Sequence, residues 1–310
     1  MSTAFVFPGQ GAQTIGMGRD LAQAYPAAQA VFDEVDDALG EKLSALIWDG
    51  DIETLTLTEN AQPALMATSM AAMRALEAEG ISVTRASFVA GHSLGEYSAL
   101  CAAGVFSLAD TARLLRIRGR AMQSAVPVGQ GAMAAILGLS AEEVTALAEE
   151  AAQGDVCQLA NENDPTQNVI SGSKAAVERA IAMAKDKGAK RALPLPVSAP
   201  FHCALMQPAA DEMARALADV TLADPSVPLV ANVLASSVST ADPIAQLLVE
   251  QVTGRVRWRS SVEWMVEQGV TEFWEIGAGK ALSGMIRRIH KDAVLRNVGV
   301  AADVTAALEA

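Results

Sequence analysis

The sequence predicts an α/β chain, with a large domain on a mainly parallel sheet and a small subdomain inserted into it. Three observations point there. Short apolar runs, Ala4-Phe5-Val6-Phe7 and Ser87 to Ala90, each lead into a glycine-bearing turn. The second continues into a helical stretch, Leu94 to Ala103, and so reads as a βα unit. From Gly131 to Val197 the elements follow the order β-α-β-β-α-β, the split arrangement of ferredoxin-like units. Finally, 310 residues at 51% hydrophobic and only 4% aromatic supply the aliphatic core that such a fold buries. The expected division is 1–128 with 199–310 for a large, α/β-hydrolase-like domain, and 129–198 for the small ferredoxin-like one.

Charge narrows the partners. A net charge of −13 opposes general affinity for nucleic acid or for an anionic membrane surface. No apolar run reaches membrane-spanning length. Cys101, Cys157 and Cys203 show neither paired nor metal-like spacing, so a reducing compartment without disulfides is expected. The first residues run directly into a strand with no basic, apolar leader, and the simplest expectation is a cytoplasmic protein.

After the first strand comes Pro8-Gly9-Gln10-Gly11-Ala12-Gln13. Its spacing is neither GxGxxG nor a P-loop, so it is not a phosphate-binding fingerprint. It does stand at a strand's C-terminal end, where open α/β sheets hold ligands. Val31, Phe32, Val35 and Leu39 keep helical spacing. Leu65, Met66, Ser69, Met70, Met73 and Leu76 do so again, in a helix that Gly80 can end. Both stripes read as core.

The stretch around Gly91-His92-Ser93-Leu94-Gly95 organises the chain. Gly-x-Ser-x-Gly between a strand and a helix is a nucleophile elbow. Gly91 allows the tight turn and Gly95 the close passage of helix over strand. Ser93 then faces the unpaired N–H groups of a helix N-terminus, which can hold a developing oxyanion. Three histidines compete for the role of base. His92 adjoins the serine, so its side chain is expected to point elsewhere, and His290 lies among Arg287, Arg288 and Lys291. That leaves His202, entered through Pro200. Cys203 is a rival nucleophile that lacks an elbow. The segment Gln251 to Trp258 offers no acid to orient His202, but a helix-end carbonyl can accept its second ring N–H.

Ser107 is a suitable N-cap for the helix that follows the elbow helix. Arg113, Arg116 and Arg120 fall on one stripe, expected to be solvated. Arg118 shares its face with Leu114, Leu115 and Met122 instead. A guanidinium there demands an anion. A buried ion pair with an acid of this chain satisfies it, as does a substrate carboxylate; helical phase leaves both open.

In the inserted unit, Met133 to Leu137 reads as a strand and Ser140 to Glu143 as a capping-box start to a helix through Ala152. Val156 to Ala160 and Asn168 to Ser171 are strands around a polar loop, Asn161 to Gln167. Ser173 caps a helix to Lys187, and Arg191 to Val197 is extended. Asn161 and Asn163 in the loop can reach the cleft. Beyond it, Leu229 to Asn232 and Phe273 to Ile276 are strands, with helices near Pro243 to Val252 and Ser260 to Gln268.

Taken together, these motifs resemble the malonyl-CoA:acyl carrier protein transacylases. The resemblance spans essentially the whole chain. It rests on Phe-Pro-Gly-Gln-Gly (7–11), Gly-His-Ser-Leu-Gly-Glu-Tyr (91–97), Arg118-Gly-Arg and Asn161-x-Asn163. It also rests on Ser-Ala-Pro-Phe-His-Cys (198–203), Gln251 with Val256-Arg-Trp258, and Glu-Ile-Gly-x-Gly-Lys (275–280). Arg255 and Ala278 depart from it, since many relatives carry proline there.

The resemblance implies a ping-pong acyl transfer in fatty acid synthesis, with malonyl-CoA and acyl carrier protein as partners and no metal or redox cofactor. Ser93 would be the nucleophile, His202 its base, and the Gln251 main-chain carbonyl the group that orients His202. The N–H groups of Gln10 and Leu94 would form the oxyanion hole, and Arg118 would clasp the malonyl carboxylate. His92, Phe201, Asn161 and Asn163 would line the substrate site, with Phe201 filling space near the α-carbon. A monomer is the family-level expectation. The carrier is acidic, so basic clusters must dock it; Lys190 with Arg191, and Arg287 with Arg288, are expected to flank the cleft. Rival expectations are a serine hydrolase, a transferase loading polyketide carriers, and a non-catalytic carrier-binding protein.

Overall fold

The computed structural model describes residues 2–197 and 199–309. Ser198, part of the Ser-Ala-Pro-Phe-His-Cys stretch and the last residue of the expected small unit, lies outside the described residues. In chain order the strands are β1 (Ser2–Phe7), β2 (Phe88–Gly91), β3 (Gly131–Leu137), β4 (Cys157–Asp164) and β5 (Gln167–Ser173). Then follow β6 (Arg191–Pro194), β7 (Leu229–Ala231), β8 (Ser236–Val238), β9 (Val270–Ile276) and β10 (Val294–Val298).

The larger sheet runs β10-β9-β1-β2-β7-β8 and is parallel except for the β7–β8 hairpin. Its centre, β1, is covered on both faces. Phe5 and Phe7 belong to the main core, while Ala4 and Val6 pack with Trp258, Val262 and Phe273 on the other side. Two buried faces explain why the strand reads as an unbroken apolar run. Each large side chain so buried contributes about 1.5–3 kcal/mol. With β2 on one side of β1 and β9 on the other, a crevice opens at the carboxyl ends of the strands.

The smaller sheet runs β4-β5-β3-β6, wholly antiparallel. Its period-2 pattern faces two cores. Ala134, Ile136 and Ile170 meet the helices Ala141–Ala152 and Lys174–Ala184, whereas Met133, Ala135 and Val169 face the main core. The ferredoxin-like order of elements is present, with β4 packed against the helices Trp258–Glu267 and Ala281–Ile289.

Three local expectations need correction. Asn161 to Asp164 is not loop but the end of β4, leaving only Pro165 and Thr166 as the turn. The polar run stays extended because it is paired on both edges: β5 sets Val169, Asn168 and Gln167 opposite Asn161, Glu162 and Asp164, and on the other side Glu162 N–H donates to Val256 O and Val256 N–H to Ala160 O. Ser173 stands at the N-cap position but makes no side-chain cap bond, and its helix ends at Ala184. Arg116 leaves the solvated stripe; it is buried and held by Asn60 and Glu41.

Candidate active site

The elbow is built as the glycine pattern requires. Ser93 has φ 54° and ψ −109°, a conformation that side-chain-bearing residues rarely adopt, at a cost of about 1–3 kcal/mol. A Cβ on Gly91 would lie within the peptide group joining Gly95 to Glu96, and one on Gly95 would collide with the Phe7 carbonyl. Asn232 braces the turn from β7: its Oδ1 accepts from Ser93 N–H at 2.9 Å, and its Nδ2 donates to Gly91 O at 2.7 Å. The N–H of Ser93, the candidate nucleophile, is therefore taken.

Ser93 Oγ lies 2.8 Å from His202 Nε2, and His202 Nδ1 lies 2.8 Å from the Gln251 main-chain oxygen. A carbonyl only accepts, so Nδ1 carries the proton and Nε2 offers its lone pair to the serine. Gln251 is in the last turn of the helix Ile244–Thr253, where a carbonyl has no intrahelical donor. That is why it is free for the imidazole. Burial and the neighbouring Arg118 push His202 down to about 3, so the ring is neutral at ordinary pH.

Arg118 is 1% exposed, yet among the described residues it meets no carboxylate. Its guanidinium donates to Gln62 Oε1 at 2.8 Å, Gln251 Oε1 at 2.7 Å and Ser93 Oγ at 3.1 Å. The Tyr97 ring lies 5.6 Å away, and burial lowers the Arg118 pKa from its ordinary value. The structural ion pair left open by helical phase is thus replaced by neutral acceptors. A strong cation beside a nucleophile, without its own anion, is equipped to receive one.

Ser93, His202, Arg118 and Gln62 line a cleft of about 290 Å³, bounded also by Gln10, Met133, Asn161 and Phe201. Leu94 is the first residue of the helix Leu94–Ala102, and Gln10 follows β1. Among the described residues, neither of their backbone N–H groups has a partner. The arrangement can deprotonate a serine, stabilise an oxyanion and bind a carboxylate side by side.

The chain matches the acyl transferase domain family over residues 4–304. It is 48% identical over 306 residues to the malonyl CoA-acyl carrier protein transacylase of Escherichia coli strain K12, covering 99% of this chain and 98% of that one. The Bacillus subtilis strain 168 protein of the same name is 48% identical over 289 residues, covering 93% and 90%. The chain belongs to the malonyl CoA-acyl carrier protein transacylase family. An acyl-carrier-protein-S-malonyltransferase structure from Bartonella henselae superposes with TM-score 0.97 at 57% identity, covering 100% of this chain and 99% of that one. A malonyl-transacylase solved in complex with its type II PKS acyl-carrier protein gives TM-score 0.96 at 45% identity, with 100% and 99% coverage.

Within this transacylase fold, Ser93 Oγ is met by His202 and not by the adjoining His92, which still belongs to the cleft. His92 Nε2 lies 2.9 Å from Asn163 Oδ1, and burial lowers its pKa. Asn161 reaches the cleft directly, whereas Asn163 stands behind His92. Cys203 is buried, its Sγ donating to Pro200 O at 3.1 Å, and burial raises its thiol pKa. Of the basic pairs, Lys190 and Arg191 are exposed at the end of β6 opposite the cleft-lining Leu195. Arg287 and Arg288 end the helix Ala281–Ile289, and Arg288 binds the fully buried Asp164 at 2.6 Å. Sequence reading missed Gln62 and Asn232. A polar residue closing an apolar strand was the available signal for Asn232.

Proposed function

We propose that the chain transfers a malonyl group from malonyl-CoA to the phosphopantetheine thiol of acyl carrier protein, through a malonyl ester on Ser93, supplying extender units for fatty acid synthesis. Arg118 carries this reading: a buried guanidinium, unpaired by any described carboxylate, stands 3.1 Å from the nucleophile. The names of the relatives support it, as does the solved relative bound to a carrier protein.

His202 Nε2 takes the Ser93 proton as Oγ attacks the thioester carbonyl. Charge developing on that oxygen meets the N–H groups of Gln10 and Leu94. Collapse breaks the C–S bond and expels CoA as its thiolate, which takes the proton from His202. The pantetheine thiol then repeats the cycle in reverse, deprotonated by His202 and attacking the malonyl ester. An uncharged partner leaves His202 a weak base, and thiols, with ordinary pKa of about 8.5, need less help from it than amines. Arg118 gains its counter-charge from malonyl and lacks it with acetyl, which penalises the shorter acyl group. Phe201 bounds the space at the α-carbon, with His92 and Asn161 on the walls and Asn163 holding His92. Serine, imidazole and backbone donors supply all the chemistry, so no resident metal or redox group is needed.

The unit 129–198 is proposed to act as a separate subdomain closing one wall of the cleft. Lys190, Arg191, Arg287 and Arg288 are proposed to dock the acidic carrier onto a monomeric, cytoplasmic enzyme. A second reading, loading of polyketide carriers, is favoured by the relative solved with a type II PKS carrier.

Intact mass after brief exposure to malonyl-CoA tests the proposal. One malonyl adduct in the parent, none in Ser93→Ala, and clearance by holo acyl carrier protein are the expected outcomes. Release of CoA without an adduct points to a hydrolase, and no reaction at all to a binding protein. Clearing rates with fatty acid and polyketide carriers separate the two pathways.

A further inference from the structure

Glu96 is enclosed beneath the nucleophile, 1% exposed, in the first turn of the elbow helix. Two donors from other elements converge on its carboxylate. Gln251 Nε2 donates to Oε2 at 2.6 Å, and the Asn232 backbone N–H approaches the two oxygens at 3.3 and 3.4 Å. Each donor belongs to a residue that grips the reacting groups. The Asn232 side chain ties Ser93 N–H to Gly91 O. The Gln251 amide binds Arg118 through Oε1 and Ser93 O through Nε2, while its main chain holds His202.

A glutamine amide can sit in either of two orientations related by a flip. An acceptor-only carboxylate admits only the NH₂ end of Gln251, and the Ser93 carbonyl demands the same end at 3.0 Å. Oε1 is thereby turned to the guanidinium at 2.7 Å, on the same nitrogen that lies 3.1 Å from Ser93 Oγ. We infer that Glu96 is a positioning residue for the transfer reaction: it orients the Gln251 amide and the Asn232 backbone, and through them Arg118 and the Ser93 elbow. It touches neither substrate nor reacting atom. The selectivity arm of its test rests on the proposed function above, and the reactivity arm does not.

Burial raises the Glu96 carboxyl to about 7, against the pull of its hydrogen bonds to Gln251 and Asn232 and the Arg118 charge. At about pH 8.5 it is ionised and accepts at both oxygens. Glu96→Gln keeps the shape but places an NH₂ among converging donors. Either Asn232 then faces an N–H, or Gln251 flips and turns its own NH₂ toward the guanidinium.

The experiment compares the parent, Glu96→Gln, Gln251→Leu and the double variant at about pH 8.5, each checked for folding by thermal unfolding. One readout is the rate at which a neutral fluorophosphonate labels Ser93. The other is the ratio of malonyl to acetyl labelling from the two CoA thioesters, by intact mass. Glu96→Gln is expected to slow phosphonylation and to lower the ratio, each about tenfold. The double variant is expected to match the ratio of Gln251→Leu, because both changes act through one amide. A folded Glu96→Gln protein with parental rate and ratio overturns the inference, as do ratio losses that simply add. Should Glu96→Gln not fold, Glu96→Asp, which keeps the charge but withdraws it by one methylene, takes its place in the same comparison. A parent that shows no malonyl preference sinks the proposed function instead, and the phosphonylation arm still judges Glu96.

Discussion

The Nδ1–H of His202 donates to the main-chain carbonyl of Gln251 at 2.8 Å, where a Ser-His-Asp triad would present a carboxylate. A neutral acceptor sets the tautomer and ring orientation but gives the imidazolium little charge stabilisation. With burial and Arg118 nearby, this accounts for a histidine held at about 3. His202→Ala should slow acylation by malonyl-CoA by about 10²- to 10⁴-fold in a folded protein. Single-turnover mass spectrometry checks it; a variant that acylates at the parental rate would remove His202 from the reaction.

Arg118 is the proposed selectivity element. Arg118→Ala should lower the efficiency with malonyl-CoA by about 10- to 100-fold, the loss of charge-assisted bonds of about 1.5–3 kcal/mol. Acetyl-CoA should suffer far less, since it never supplied the anion. Competition between the two thioesters measures this, and equal losses for both would deny the carboxylate contact.

Gly91→Ala and Gly95→Ala test the elbow's steric requirement. Each new methyl would occupy backbone at a crossing where neither chain can retreat. Loss of stability of about 3 kcal/mol or more is expected for Gly95→Ala, along with its activity. Calorimetry decides; a parental melting temperature would show that the helix can lift from β1.

Two buried groups tie stability to pH in opposite directions. His202, lowered in the fold to about 3, contributes stability that is complete above its unfolded value of 6.5 and is lost as pH falls toward 3. Glu96, raised to about 7, contributes stability that is complete below 4.5 and is lost as pH rises through 7. Relative to the parent, Glu96→Gln should therefore melt higher at about pH 8.5 than at about pH 5, whatever its absolute stability. A difference independent of pH would place the Glu96 carboxyl near its ordinary value.

The two C-terminal arginines should separate. Arg288 binds Asp164, whose side chain has no exposure, so Arg288→Glu should destabilise the protein by about 1.5–3 kcal/mol. Arg287 is exposed and carries no such duty. Arg287→Glu should leave acylation by malonyl-CoA intact and slow clearance by holo acyl carrier protein. Equal loss in both half-reactions would exclude it from docking.

Much of this was legible from residue order because it is local. Gly-x-Ser-x-Gly between an apolar strand and a helix dictates its own turn, and the phase of Leu114, Leu115, Arg118 and Met122 puts the guanidinium on the buried face. The β-α-β-β-α-β order of the small sheet follows from hydrophobic period and caps in the same way. Asn161 to Asp164 misled, because a polar run has no hydrophobic period of its own and takes its conformation from its partners, β5 on one edge and Val256, far along the chain, on the other.

Tertiary structure alone decided who meets whom. That Arg118 finds Gln62 and Gln251 but no acid among the described residues, that Asn232 takes the Ser93 N–H, and that Glu96 receives both Gln251 and Asn232 are contacts between elements distant in sequence. Helical phase states only that a buried charge needs partners. Packing of the sheet and its helices selects which polar atoms arrive at hydrogen-bond distance, and no local pattern encodes that choice.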